Sequence, residues 1–112
     1  GIIISSPEYI RCITGGLKNA IDWMVSRTEI IDIPIVLVHA SSRGDDMLVS
    51  LRRVLSTVSS NFFEDLFLRI SLIGKSPEQI SEMLQTEKYK SQITPFLLTF
   101  VSEIQKCRNE LE

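Results

Sequence analysis

The chain has 112 residues, 12 of them Lys or Arg against 14 Asp or Glu, with 44% hydrophobic and 23% charged residues. That length builds one small domain, and a composition this apolar is globular, which excludes a disordered segment. A net charge of −2 with both signs interspersed excludes the basic footprint of a nucleic-acid or anionic-membrane partner, and no apolar stretch reaches the roughly 20 residues of a membrane span.

Gly1-Ile2-Ile3-Ile4-Ser5 reads as a strand whose side chains do not alternate, the pattern of a parallel strand covered on both faces. Pro7 ends it, because proline brings no amide to the ladder. Glu8 to Thr14 reads as a loop, and Gly15 and Gly16 free the backbone before a helix from Gly16 to Ser26. Leu17, Ala20, Ile21 and Met24 share one helical stripe. Trp23 lies outside it, either packing under a loop or lining a subunit contact.

Thr28 to Ile33 is a connector. Pro34 to Ala40 is a second continuous apolar run and a second buried parallel strand. The turn Ser41 to Asp46 follows, with Asp45 or Asp46 expected to cap the next helix. Met47, Leu51, Val54, Leu55 and Val58 form that helix's buried stripe, with Arg52 and Arg53 outward. Leu66 to Leu72 alternates instead, Leu66, Leu68, Ile70 and Leu72 against Phe67, Arg69 and Ser71, which predicts an edge strand with one wetter face. Ser76-Pro77-Glu78-Gln79 has the spacing of a capping box with Pro at the first helical position, opening a short helix to Gln85. The last helix is predicted from Thr94-Pro95 to Glu110, its stripe being Phe96, Leu97, Phe100, Val101, Ile104, Cys107 and Leu111. Cys12 and Cys107 match no metal spacing and are expected to be reduced and packed, as in a cytoplasmic protein.

Three strands alternating with helices define a right-handed parallel α/β unit within a single domain, residues 1–112. The opening strand, apolar on all sides, is expected to have a neighbour on its other edge, which in an open sheet of order 2-1-3-4-5 is the central strand.

Pro7-Glu8-Tyr9, followed by Leu17-Lys18-Asn19-Ala20-Ile21-Asp22-Trp23, resembles the NAD(P)H-dependent FMN reductases. That family has the flavodoxin-like fold, a three-layer αβα sandwich around a parallel sheet. The resemblance implies that these residues supply strands 3, 4 and 5 of such a domain, its carboxyl-terminal portion, with strands 1 and 2 and the phosphate loop upstream of Gly1. It implies FMN as cofactor, NAD(P)H as co-substrate, and an enzyme passing hydride through FMN to a flavin, quinone, azo compound or metal oxyanion. It also implies a homodimer or homotetramer through helix 16–26, in which a second subunit covers Trp23, Cys12 and Ile13.

By the same resemblance, the main chain of Pro7, Glu8, Tyr9 and Ile10 lies along the flavin ring. The family has Asn after the Tyr; Ile10 removes a polar side chain that contacts the cofactor or braces the loop. Tyr9 packs beside the ring or caps the sheet end. Ser41, Ser42, Arg43 and Gly44 form the second contact, with amides reaching the pyrimidine end, though one Gly stands where the family has several. Arg43 either meets a nucleotide phosphate or sits in solvent. His39 reads as a satisfied structural group more readily than as a proton donor. Paired carboxylates, a Cys-His pair, a Ser-His-Asp set and metal spacing are all lacking, so no catalytic residue is expected. That fits chemistry carried by a flavin, with the protein positioning two rings. Two alternatives stand beside this one. One is a non-catalytic flavodoxin-like structural or regulatory module without flavin, to which Ile10 and the missing glycines point. The other is an FMN-binding electron carrier that takes no nicotinamide.

Overall fold

The second apolar run is the strand on which the others assemble. In the computed structural model, which describes residues 1–111, it forms β4 (Ile35–His39) at the centre of a three-stranded parallel sheet. On one side lies β1 (Ile2–Ile4), in register Ile2 to Ile35, Ile3 to Val36 and Ile4 to Leu37. On the other lies β5 (Phe62–Arg69), with Leu37 opposite Phe67 and His39 opposite Arg69. Strand alternation splits β4 between two cores. Ile35 and Leu37 pack with Ile21 of α1 (Gly15–Val25) and with Met47, Leu48, Leu51 and Leu55 of α2 (Asp45–Val58). Val36 faces the opposite side, against Phe96 and Phe100 of α4 (Glu87–Leu111). The result is the expected three-layer α/β arrangement.

Several elements depart from the sequence reading. Ile3 was expected to be covered, yet it is 48% exposed. Helix α4 covers its register partner Val36 but not Ile3 itself, and the outer edge of β1 has no ladder partner among the described residues. Residues Glu8 to Thr14 are not a plain loop. They hold a short antiparallel hairpin, β2 (Glu8–Tyr9) and β3 (Cys12–Ile13), which docks Ile13 on the α1–α2 core. Helix α1 starts where expected, capped by Thr14 Oγ1 accepting from Leu17 N, but Ala20 is exposed and only Ile21 of the stripe is fully buried.

Neither Asp45 nor Asp46 caps α2. Gly44 is the N-cap residue, and both aspartates lie in the first turn, where a negative charge favours the helix dipole. Arg52 does not point outward: its guanidinium lies 4.6 Å from the Phe67 ring centroid, and its Nε has no hydrogen-bond partner among the described residues. Strand β5 begins at Phe62, four residues before the predicted start. An irregularity between Phe62 and Phe67 pushes Glu64 and Asp65 into solvent and hides the early strand from any alternation rule. The strand is an edge, as expected.

Helix α3 (Pro77–Leu84) carries the predicted capping box, with Gln79 N donating to Ser76 Oγ and Ser76 N to Gln79 Oε1. Helix α4 starts at Glu87, earlier than predicted, and runs through Pro95, which loses one intrahelical bond without ending the helix. Phe96, Phe100 and Cys107 are buried on it, whereas Leu97 and Val101 are exposed; the side chain of Leu111 lies outside the described residues. Cys12 and Cys107 are both free. Cys107 is packed, and burial pushes its thiol pKa up, while Cys12 is exposed, contrary to expectation. No helix among the described residues is long and apolar enough to cross a membrane.

Leu55 is fully buried at the meeting of α2 and the sheet. Leu55→Ala is expected to lower unfolding free energy by about 2–5 kcal/mol, read from urea denaturation monitored by circular dichroism.

Candidate functional site

The parallel register brings the carboxyl ends of β1 and β4 to one level, and a cleft of about 660 Å³ opens there. Ser5, Ser6, Pro7 and Glu8 form one wall as the chain leaves β1. His39, Ala40, Ser41, Arg43 and Gly44 form the other as it leaves β4, and Ile73 closes the side beyond β5. Pro7, Ala40 and Ile73 make part of the lining apolar, while serine hydroxyls and the turn backbone supply polar groups, the usual mix of a small-molecule site. A second cavity, of about 610 Å³, lies at the opposite end of these strands, around Gly1, Ile2, Pro34 and Cys107. Open α/β sheets take ligands at the carboxyl end, so the first cleft is the candidate.

The two walls are tied together through α2. Met47 N, in the first turn of that helix, donates to Glu8 Oε2 at 3.1 Å. The Glu8 carboxylate therefore serves as a helix cap supplied from a distant part of the chain. Arg11 adds an ion pair to Asp46 at 2.6 Å, but both groups are largely exposed, and solvent screens such a pair. The Glu8 bond and the burial of Ile13 hold the hairpin more firmly than that pair does.

The hairpin turn itself is strained. Ile10 and Arg11 have φ of 52° and 58°, so both central residues of the two-residue turn are left-handed, as a type I′ turn requires. A β-branched side chain is badly suited to that region, and Ile10 has no packing to offset the cost, being 95% exposed. The polar residue that Ile10 replaces in the resembled pattern is therefore explained by backbone conformation, since Asn tolerates the left-handed region.

The turn after β4 is braced from behind. The Arg43 carbonyl accepts from the His39 ring, so Nε2 of this buried imidazole carries the proton. Arg69, at the end of β5, donates from Nε to Ser41 O at 2.8 Å, from Nη2 to Arg43 O at 3.1 Å, and from Nη1 to Asp45 at 2.7 Å. Gly44 has φ +97°, and a Cβ there would stand 2.9 Å from His39 Nε2 and 3.7 Å from the Glu8 side chain. Only glycine meets both conditions.

Of the eight residues singled out from the sequence, Pro7, Glu8, Ser41, Arg43 and Gly44 line this cleft together. Ser42 is exposed beside it, and Tyr9 and Ile10 project into solvent from the hairpin, Tyr9 being 64% exposed. Ser5, Ser6, Ala40 and Ile73 complete the lining without having been singled out. The bracing role of Arg69 also went unread. Its only trace in the sequence is a cation on the polar side of an alternating strand, close to the strand's carboxyl end.

A three-layer sheet with its cleft at the carboxyl ends of adjacent parallel strands is flavodoxin-like α/β architecture. Residues 1–70 match the NADPH-dependent FMN reductase family, and the chain belongs to that family. Both walls of the cleft fall within the matched residues; Ile73 lies outside them. The chain is 44% identical over 48 residues to proteins named quinone reductase from Escherichia coli strain K12, Escherichia coli O157:H7 and Shigella flexneri. Each match takes in 39% of this chain and 24% of the relative, so the chain spans only a minor part of those relatives' length. No solved structure gives a significant match.

Two substitutions probe the walls. Ile10→Asn is expected to raise stability by about 1 kcal/mol in urea unfolding, because it relieves a left-handed β-branched residue without losing buried surface. Gly44→Ala is expected to lower it by about 1–3 kcal/mol in the same assay, through the positive φ and the contact with His39.

Proposed function

We propose that the protein is an NAD(P)H-dependent oxidoreductase whose cleft at the ends of β1 and β4 receives the ring system of FMN. The observation that carries this reading is that two segments inside the family match, residues 5–8 and 39–44, converge on one partly apolar cleft at the ligand-binding end of the sheet. The residues present fit a flat ring bearing hydrogen-bond acceptors. Pro7, Ala40 and Ile73 offer apolar surface, and Gly44 keeps a side chain out of the wall where a Cβ would meet His39.

Bound FMN would supply the redox chemistry, taking hydride from NAD(P)H and passing electrons to a quinone, a second flavin, an azo compound or a metal oxyanion. The chain's own part is to bind and orient. Pro7 and Glu8, which line the cleft, would hold one side of the ring, with Tyr9 and Ile10 on the hairpin beyond the cleft. Ser41, Arg43 and Gly44, with Ser42 beside them, would hold its pyrimidine end, and Glu8 ties the two walls together by capping α2. His39 holds its Nε2 proton on the Arg43 carbonyl and so shapes the turn.

We infer further that this chain is the carboxyl-terminal portion of a flavodoxin-like domain, with the strand beside β1 and the phosphate-binding turn supplied by a preceding segment. The exposed face of Ile3 and the unpaired outer edge of β1 support this. A homo-oligomer through α1 is part of the same proposal, supported by Trp23, which is 72% exposed on that helix with Val25 also exposed nearby.

Full-length protein is expected to purify yellow, or to turn yellow on reconstitution with FMN, and to oxidise NADPH when a quinone is added. A colourless protein that takes up no FMN would overturn the reading and favour the non-catalytic module. Trp23→Glu is expected to shift the sedimentation coefficient to that of a monomer while leaving the circular dichroism unchanged. A monomeric wild type would remove the oligomer from the proposal.

A further inference from the structure

The Ser41–Asp45 turn has an unusual distribution of satisfied and unsatisfied backbone groups. Its carbonyls are taken: Ser41 O by Arg69 Nε, and Arg43 O by both Arg69 Nη2 and His39 Nε2. The Arg43 amide is taken too, donating to Ser41 Oγ at 3.0 Å. The amides of Ser42 and Gly44 have no partner among the described residues. These two amides belong to the same peptide planes as the Ser41 and Arg43 carbonyls. In a trans peptide the N–H and C=O point opposite ways, and the chain has no cis bond. A guanidinium that holds both carbonyls thus turns both amides away from itself, with Gly44 in the wall of the cleft and Ser42 exposed beside it.

From this geometry we infer that Arg69 is a positioning residue. Clamping Ser41 O, Arg43 O and the Asp45 carboxylate, it presents the Ser42 and Gly44 amides as a fixed pair of donors to a ligand edge with two neighbouring acceptors, such as the carbonyl and nitrogen edge of a flavin pyrimidine. The inference rests on the reading above that the cleft receives the flavin ring. Arginine suits the task because its planar fork donates in three directions at once, whereas lysine offers a single mobile ammonium. Asp45 keeps the fork oriented from the helix side, and Arg69 is itself only 30% exposed.

The test uses full-length protein with Arg69→Met, Arg69→Lys and Asp45→Asn. In ligand-free protein, nitrogen-15 relaxation is expected to show ordered Ser42 and Gly44 amides in the wild type and mobile ones in Arg69→Met, with the amides of Ile35 to Leu37 and the melting transition little changed. FMN binding, followed by flavin fluorescence, is expected to weaken by about tenfold or more in Arg69→Met, with a shift in the visible band of bound flavin. Arg69→Lys should fail to restore either property, and Asp45→Asn, which takes the charge from one of the three acceptors, should lose less. Turn amides as ordered in Arg69→Met as in the wild type would overturn the inference, as would a mobile turn that binds FMN with unchanged affinity and spectrum. If the wild type binds no FMN, the proposed function falls, and the relaxation result alone decides whether Arg69 sets the turn.

Discussion

The parallel pairing of β1 with β4 is the constraint from which the rest of this structure follows. Because Ile2, Ile3 and Ile4 stand level with Ile35, Val36 and Leu37, the chain leaves both strands at the same height. Two connections then emerge side by side, and each must satisfy its backbone outside the ladder. The first folds into the β2–β3 hairpin and sends Glu8 to the amino end of α2; the second turns at Gly44 to begin that same helix. One helix terminus is therefore shared by both walls of the cleft. Its Met47 amide, which has no acceptor within the helix, and its positive dipole end account for a carboxylate at that point.

The parts of this architecture visible in the sequence are those with a strong period or a short-range rule. The unbroken run from Pro34 to Ala40 marks a strand buried on both faces, and β4 is central. Ser76 to Gln79 contains a complete local cap, and both of its hydrogen bonds form. What stayed hidden depends on residues far apart in the chain. Phe62 joins β5 only because an irregularity shifts its register, and the predicted start at Leu66 follows the alternation that holds beyond it. Thr94-Pro95 looks like a helix start, yet the helix continues back through Pro95 to Glu87, with Phe96 and Phe100 packed on Val36. Arg52 is drawn inward by a ring on a neighbouring strand, which no helical-wheel argument anticipates.

The candidate site divides along the same line. Pro7, Glu8 and the 41–44 turn can be named from the chain alone, since a strand end followed by a polar turn is a local pattern. The partners that shape them cannot, since Glu8 meets Met47 39 positions away and Arg69 reaches back 28 positions to Ser41. Charge around the site is also largely internal: Asp45 is held by Arg69 and Asp46 by Arg11, while Glu8 is directed to a helix amide. The groups left to face a ligand are mostly hydroxyls, backbone amides and the Arg43 side chain. On the proposed reading, such a lining would orient a cofactor and leave bond-making to it.

Titration of isotopically labelled full-length protein with lumiflavin, the flavin ring without its phosphate chain, tests the central claim most directly. Amide shift changes confined to residues 5–10 and 39–44 are the predicted result. Changes centred instead on Gly1, Pro34 and Cys107 at the far end of the strands, or none at saturating ligand, would contradict it.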